Sequence, residues 1–169
     1  GILQIILGIF MFIPIISQLI FVQFSSTFLI SSIITIIFGS LFVISNLNHE
    51  KKISLQGAFI LTTLSWISIA IFGSLPFYFS SLNLSFTDSF FESMSGITTT
   101  GSTIITNLNE LPKGILLWRA LLQWLGGIGI IIMAITLMPI MNVGGMQLFK
   151  ISSVDTSEKI LPKSKQISL

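Results

Sequence analysis

Four apolar segments, at residues 2–22, 27–45, 53–75 and 113–142, dominate the chain. A helix crosses the roughly 30 Å of bilayer hydrocarbon with about 20 apolar residues, so each is long enough to span. In such a medium every backbone N–H and C=O must be satisfied within the protein, which leaves helices as the spanning form for segments of this length. Composition agrees: 52% of the residues are hydrophobic and only 8% are charged, against about 25% charged in an ordinary soluble domain. The fold class expected is an all-α membrane protein.

Charge distribution orients these segments. The net charge is +2, from eight basic and six acidic residues scattered along the chain, and nothing resembles the dense basic face that nucleic-acid binding requires. Lys51 and Lys52 follow the second segment, and Lys150, Lys159, Lys163 and Lys165 lie in the polar tail. Basic residues beside membrane ends mark the cytoplasmic side. The lone His49 sits in the first of these loops without a second His or Cys nearby, so it is expected to be a solvated loop residue. The absence of cysteine excludes disulfides and thiolate metal sites. Because the chain opens on Gly1, with no basic flank before its first apolar run, a fragment lacking its first residues is expected rather than a cleaved signal peptide.

Within these limits three local features are predicted. The first span kinks near Pro14, and the third ends at Pro76. The fourth exceeds the hydrocarbon thickness and must tilt, bend near Gly126, Gly127 and Gly129, or project beyond the membrane; those glycines read as close helix packing rather than as a hinge.

The stretch between the third and fourth spans is too short to cross. Ser85 and Asp88 have capping-pair spacing, so a helix is predicted from Phe86 to Ser95, stopping at Gly96. About ten residues give roughly 15 Å, half a bilayer, so the segment dips in and returns. Re-entry also keeps both chain ends and the Lys51 loop on one side. The carboxyl end of this half-helix brings the negative pole of its dipole into the membrane, where it favours a cation.

Ile97-Thr-Thr-Thr-Gly-Ser102 follows, rich in β-branched residues that favour extended backbone. Irregular backbone at membrane depth is tolerated where protein surrounds it or where it lines a wet cavity. Its carbonyls are candidates to replace a cation's hydration shell, and Gly101 supplies a positive φ. Alone, Thr-Thr-Thr-Gly also fits a polar turn; the order membrane helix, half-helix, Thr-Gly strand, membrane helix is more specific and points to a filter. Two ionisable residues accompany it, Glu92 on the half-helix and Arg119 near the outer end of the fourth span. Charges at such depth are costly unless paired, and the reading is an ion pair that holds the half-helix against its neighbour. The alternative is that Arg119 snorkels to the interface while Glu92 faces water.

Phe90-Phe-Glu-Ser-Met-Ser-Gly-Ile-Thr-Thr-Thr-Gly-Ser-Thr103, with Leu111-Pro-Lys-Gly-Ile-Leu-Leu-Trp-Arg-Ala-Leu-Leu-Gln-Trp-Leu-Gly-Gly-Ile-Gly-Ile130 and Gly144-Gly-Met-Gln-Leu148, resembles the Trk-type potassium uptake proteins, the TrkH-like members of the Trk/Ktr/HKT superfamily. The resemblance implies four covalently joined helix, pore-loop, helix repeats around one pore. On it the chain divides into an amino-terminal transmembrane hairpin at residues 1–48, the first repeat at 53–142, and a cytoplasmic connection to absent repeats at 143–169. The implied filter residues are Thr99, Thr100 and Gly101, whose main-chain carbonyls would bind potassium, with Thr98 and Ser102 at the edges. It further implies a multi-pass protein of the cytoplasmic (inner) membrane in contact with lipid, no enzymatic activity, and no cofactor besides transported potassium. Its partners would be the three remaining repeats, a second copy in a homodimer, and a cytosolic nucleotide-binding regulatory subunit. Two other readings fit the residues: a small cation-channel protomer that tetramerises, and a non-transporting membrane assembly subunit.

Overall fold

The structure is a computed structural model that describes residues 1–21, 25–47, 55–106, 108 and 111–137. Among the described residues six helices follow in order: α1 (Ile2–Phe10), α2 (Phe12–Ile20), α3 (Thr27–Ile44), α4 (Leu55–Tyr78), α5 (Phe86–Ile97) and α6 (Lys113–Leu137). There is no strand among the described residues, and the fold is all-α. Two compact units are present, Gly1–Gly129 and Ile130–Leu169; the packing below belongs to the first. The loop with His49, Lys51 and Lys52 and the basic tail from Lys150 onward lie outside the described residues.

Among the described residues four stretches are long and apolar enough to span a membrane: Ile2–Ile20, Thr27–Ile44, Gln56–Tyr78 and Lys113–Ile135. The outer surface is far more apolar than that of a water-soluble protein, and polar side chains share the interior with the hydrophobic core. Ile2, Ile9, Ile16, Ile20 and Leu41 are exposed, while Gln4, Gln18, Ser31, Ser32, Thr35 and Glu92 are buried. Apolar surface outside and hydrogen-bonding groups inside is the arrangement lipid rewards. Two of the buried hydroxyls find local acceptors: Ser31 Oγ donates to the Thr27 carbonyl and Thr35 Oγ1 to that of Ser31, each one turn back.

The prediction for Pro14 holds, and that for Pro76 needs correction. The first span breaks at Met11, three residues before Pro14, separating α1 from α2. A proline ring clashes with the carbonyl four residues earlier, that of Phe10, and offers it no N–H, so the disturbance falls a turn upstream. Pro76, by contrast, does not end the third span: α4 runs through it to Tyr78. Pro76 and Phe77 are fully buried, and the final turn is closed by Phe79 N donating to Leu75 O and by the Ser80 hydroxyl donating to Phe77 O. Near a helix end the missing N–H removes only one bond, and burial of this turn outweighs that loss.

α1 and α2 pack against α3 as a hairpin of helices, and it is fastened to the rest. Ser32 Oγ donates to Gly8 O at 2.8 Å within the hairpin; Gln4 bonds Ser68 of α4, and Thr27 Oγ1 donates to Phe79 O. Trp118 of α6, fully buried, sets its ring edge-on to Phe28 of α3 and donates Nε1 to Gly73 O of α4 at 3.0 Å.

α5 lies between α4 and α6, and its seating depends on glycine. A Cβ on Gly126 would fall 1.8 Å from Ile97 O, and one on Gly73 would fall 2.6 Å from Ser93 Oγ. α6 continues unbroken through Gly126, Gly127 and Gly129, so these residues permit close approach without breaking the helix. At Gly127 the nearest atom to an added Cβ, Thr99 Cγ2, is 4.0 Å away. Gly126→Ala is therefore expected to destabilise the detergent-solubilised protein by about 1–3 kcal/mol or more, whereas Gly127→Ala stays within about 0.5 kcal/mol; equal melting temperatures for the two variants would contradict this packing.

Candidate functional site

The half-helix is capped as its sequence requires. Ser85 and Asp88 form a reciprocal capping box, with Ser85 Oγ accepting from Asp88 N at 3.1 Å and Asp88 Oδ2 accepting from Ser85 N at 3.4 Å. Its other end differs from expectation. α5 does not stop at Gly96 but continues to Ile97. Gly96 serves packing instead, since a Cβ there would meet Leu122 Cβ at 3.1 Å.

Termination falls to Thr99. Thr99 N donates to Gly96 O at 2.9 Å and Thr100 N to Ser95 O at 3.0 Å, the paired bonds of a Schellman cap. Such a cap needs a left-handed residue, commonly glycine, and here it is Thr99 at φ 58°. A left-handed conformation costs a residue with a Cβ roughly 1–2 kcal/mol. Thr98 and Thr99 thus form a turn, and the irregular run begins only at Thr100, which corrects the expectation of extended backbone from Ile97. Gly101 N adds a bond to Ser95 O at 3.3 Å, and Gly101 itself lies at φ 77°.

These donors fix where the carbonyls point. Among the described residues all peptide bonds are trans, so within each unit the C=O is directed opposite to the N–H of the next residue. With Thr99, Thr100 and Gly101 N–H turned back onto α5, the carbonyls of Thr98, Thr99 and Thr100 are directed away from it. Among the described residues, none of the carbonyls of Thr98, Thr99, Thr100 and Gly101 accepts a hydrogen bond, and all four residues are exposed. Ser102 is different: its carbonyl accepts from Ser95 Oγ at 2.6 Å. The Thr98 and Thr100 hydroxyls bond each other at 2.8 Å, and Thr98 Oγ1 also donates to Met94 O at 2.7 Å.

Glu92 anchors the returning strand. Its side chain is wholly buried, and Arg119 Nε lies 3.3 Å from Oε2. Oε2 takes no aligned hydrogen bond, so this contact is charge against charge. Oε1 accepts from Thr103 Oγ1 at 2.5 Å, Ile104 N at 2.7 Å and Ile105 N at 3.3 Å. The structure thus brings together Glu92 and Arg119, and separately gathers Thr98 to Gly101 on an exposed turn, with the Ser102 carbonyl directed to the opposite side. Sequence reasoning missed Ser95 and Thr103. Their signal is spacing: Ser95 follows Glu92 by three residues and shares its helix face, the face against which a returning chain must lie.

The cation transport protein family TrkH matches residues 24–165. The chain belongs to the TrkH family. Its relatives include the Trk system potassium uptake protein TrkI of Halomonas elongata, 51% identical over 65% of this chain and 22% of the relative, and the TrkH proteins of Vibrio parahaemolyticus and Escherichia coli K12, 45% and 46% identical over 62% of this chain. The chain therefore spans about a fifth of the length of these relatives. The crystal structure of the potassium transporter TrkH from Vibrio parahaemolyticus superposes with a TM-score of 0.74 at 36% identity, over 86% of this chain and 31% of that one. With four candidate membrane spans among the described residues, the chain is a multi-pass protein of the inner membrane.

The buried pair gives a direct expectation. Glu92→Gln leaves Arg119 facing an uncharged amide and is expected to destabilise the protein by about 3–5 kcal/mol. Adding Arg119→Met should recover part of the loss. A double-mutant cycle on thermal unfolding in detergent measures this coupling, and simple additivity would exclude it.

Proposed function

We propose that this chain supplies one of four walls of a potassium filter in a longer Trk-type uptake transporter, with the main-chain carbonyls of Thr99, Thr100 and Gly101 replacing part of the ion's hydration shell. The observation that carries the reading is the run of carbonyls from Thr98 to Gly101, exposed and without hydrogen-bond donors among the described residues. An acceptor left unpaired at membrane depth is expensive unless a ligand or water satisfies it, and potassium filters use rings of such oxygens. The carboxyl end of α5 directs its dipole at the same place and favours positive charge there.

The choice of potassium follows the relatives, which are described as potassium uptake proteins. One wall cannot surround an ion, so three further pore loops complete the ring. Thr98 forms the inner edge of this wall. Ser102 contributes through its place in the turn, because its carbonyl is already engaged by Ser95. The Glu92–Arg119 pair is structural and keeps the strand behind the filter in register. By family resemblance, the complete protein forms a homodimer with a cytosolic nucleotide-binding subunit regulating it.

Gly101 provides the test. A Cβ there has room, its nearest neighbour being Gln123 Nε2 at 3.7 Å, so Gly101→Ala acts through the backbone at φ 77° rather than through a clash. A cost of about 1–2 kcal/mol placed on the filter conformation is expected to reduce potassium uptake on the order of tenfold. The readout is uptake by potassium-starved cells expressing the full-length polypeptide, normalised to its amount in the membrane. Unchanged uptake would sink the filter assignment.

A further inference from the structure

We propose that Ser95 is a positioning residue for cation selection, fixing where the run of ion-facing carbonyls ends; the assignment rests on the filter reading above. Ser95 is only 6% exposed and makes three contacts with the loop. Its carbonyl accepts from Thr100 N at 3.0 Å and Gly101 N at 3.3 Å, and its hydroxyl donates to Ser102 O at 2.6 Å.

The two kinds of contact act in opposite senses. The amide bonds turn the Thr99 and Thr100 carbonyls outward, away from α5. The hydroxyl bond turns the Ser102 carbonyl inward, and in a trans peptide this sends the Thr103 N–H the other way. Beyond Gly101 the exposed side therefore meets an N–H dipole, which repels a cation, where a carbonyl would have attracted one. The number of oxygens and the strength of their field are what distinguish one alkali cation from another in a carbonyl filter. A side chain that decides whether Ser102 joins the run therefore sets a term in that count.

The side chain can be separated from the backbone. The bonds to Thr100 and Gly101 come from the main chain of Ser95 and survive substitution, whereas the bond to Ser102 exists only through the hydroxyl. Ser95→Ala removes that bond alone and leaves the Ser102 peptide free to turn over. Glu92 holds the next turn of the strand independently, through Thr103, Ile104 and Ile105, so the change stays local to the filter.

The experiment compares potassium and sodium uptake, each alone and in competition, by the full-length polypeptide in reconstituted vesicles. It uses the unaltered protein, Ser95→Ala, Ser95→Cys, Ser95→Thr and Gly101→Ala. Ser95→Ala is expected to lower the preference for potassium over sodium by about three- to tenfold, the range that one neutral hydrogen bond commands. Ser95→Cys, a weaker donor of similar size, should fall between, and Ser95→Thr should keep the preference. If Ser95→Ala does not accumulate in the membrane, Ser95→Cys carries the comparison. An unchanged preference, even with a lower maximal rate, overturns the role of Ser95. If Gly101→Ala still loses uptake in that case, the filter reading stands without it. Unaltered uptake by Gly101→Ala removes the filter reading and the Ser95 assignment together.

Discussion

A backbone that leaves helical geometry inside a membrane must find partners for its N–H and C=O groups within the protein, and here one face of a short helix supplies them. Glu92 and Ser95 sit three residues apart on α5, and between them they take up five main-chain groups of the following loop and strand, from Thr100 to Ile105. What remains unsatisfied is a contiguous set of carbonyls on the exposed side. The proposed filter is in this sense the remainder of a hydrogen-bonding account: donors are drawn back to the helix and acceptors are left forward.

That account holds only if α5 is held still. α5 is wedged between α4 and α6 at three glycines: a side chain on Gly73 or Gly126 would collide with Ser93 or the Ile97 carbonyl, and one on Gly96 would crowd Leu122. Arg119 adds a charge contact to Glu92 from α6. One residue before it, Trp118 ties α6 to α4 and to the hairpin through Gly73 O and Phe28. The hairpin is thus part of the same packed unit as the half-helix. Thr99 stores the strain of this arrangement. A β-branched residue in the left-handed region is unfavourable, and it persists because the cap bonds to Gly96 and Ser95 over-determine it.

Much of this was legible from the sequence. Apolar length alone requires four spans, because nothing but a helix satisfies the backbone of such a segment in lipid. Ser85 and Asp88 announce the start of α5, since a capping box depends on two residues at fixed spacing. The deep charges of Glu92 and Arg119 demand partners, and the motif around Thr98 to Ser102 indicates the family.

The remainder was decided by tertiary contact. Whether Pro76 ends a helix depends on how well its turn is buried, and the glycine at position 96 could stop α5 or pack it; its closeness to Leu122 chose packing, and termination passed to Thr99. The role of Ser95 has no signature in composition or propensity, because a serine on a helix face becomes a positioning group only when a returning strand lies against it. Sequence determined which segments are long enough to cross and where the half-helix begins, and it singled out Glu92 and Arg119 as the charges to account for, since those follow from local patterning and the energetics of lipid. Only the packed structure decided which carbonyls face outward, since that depends on the direction of individual peptide units, set by donors and acceptors that meet across the fold.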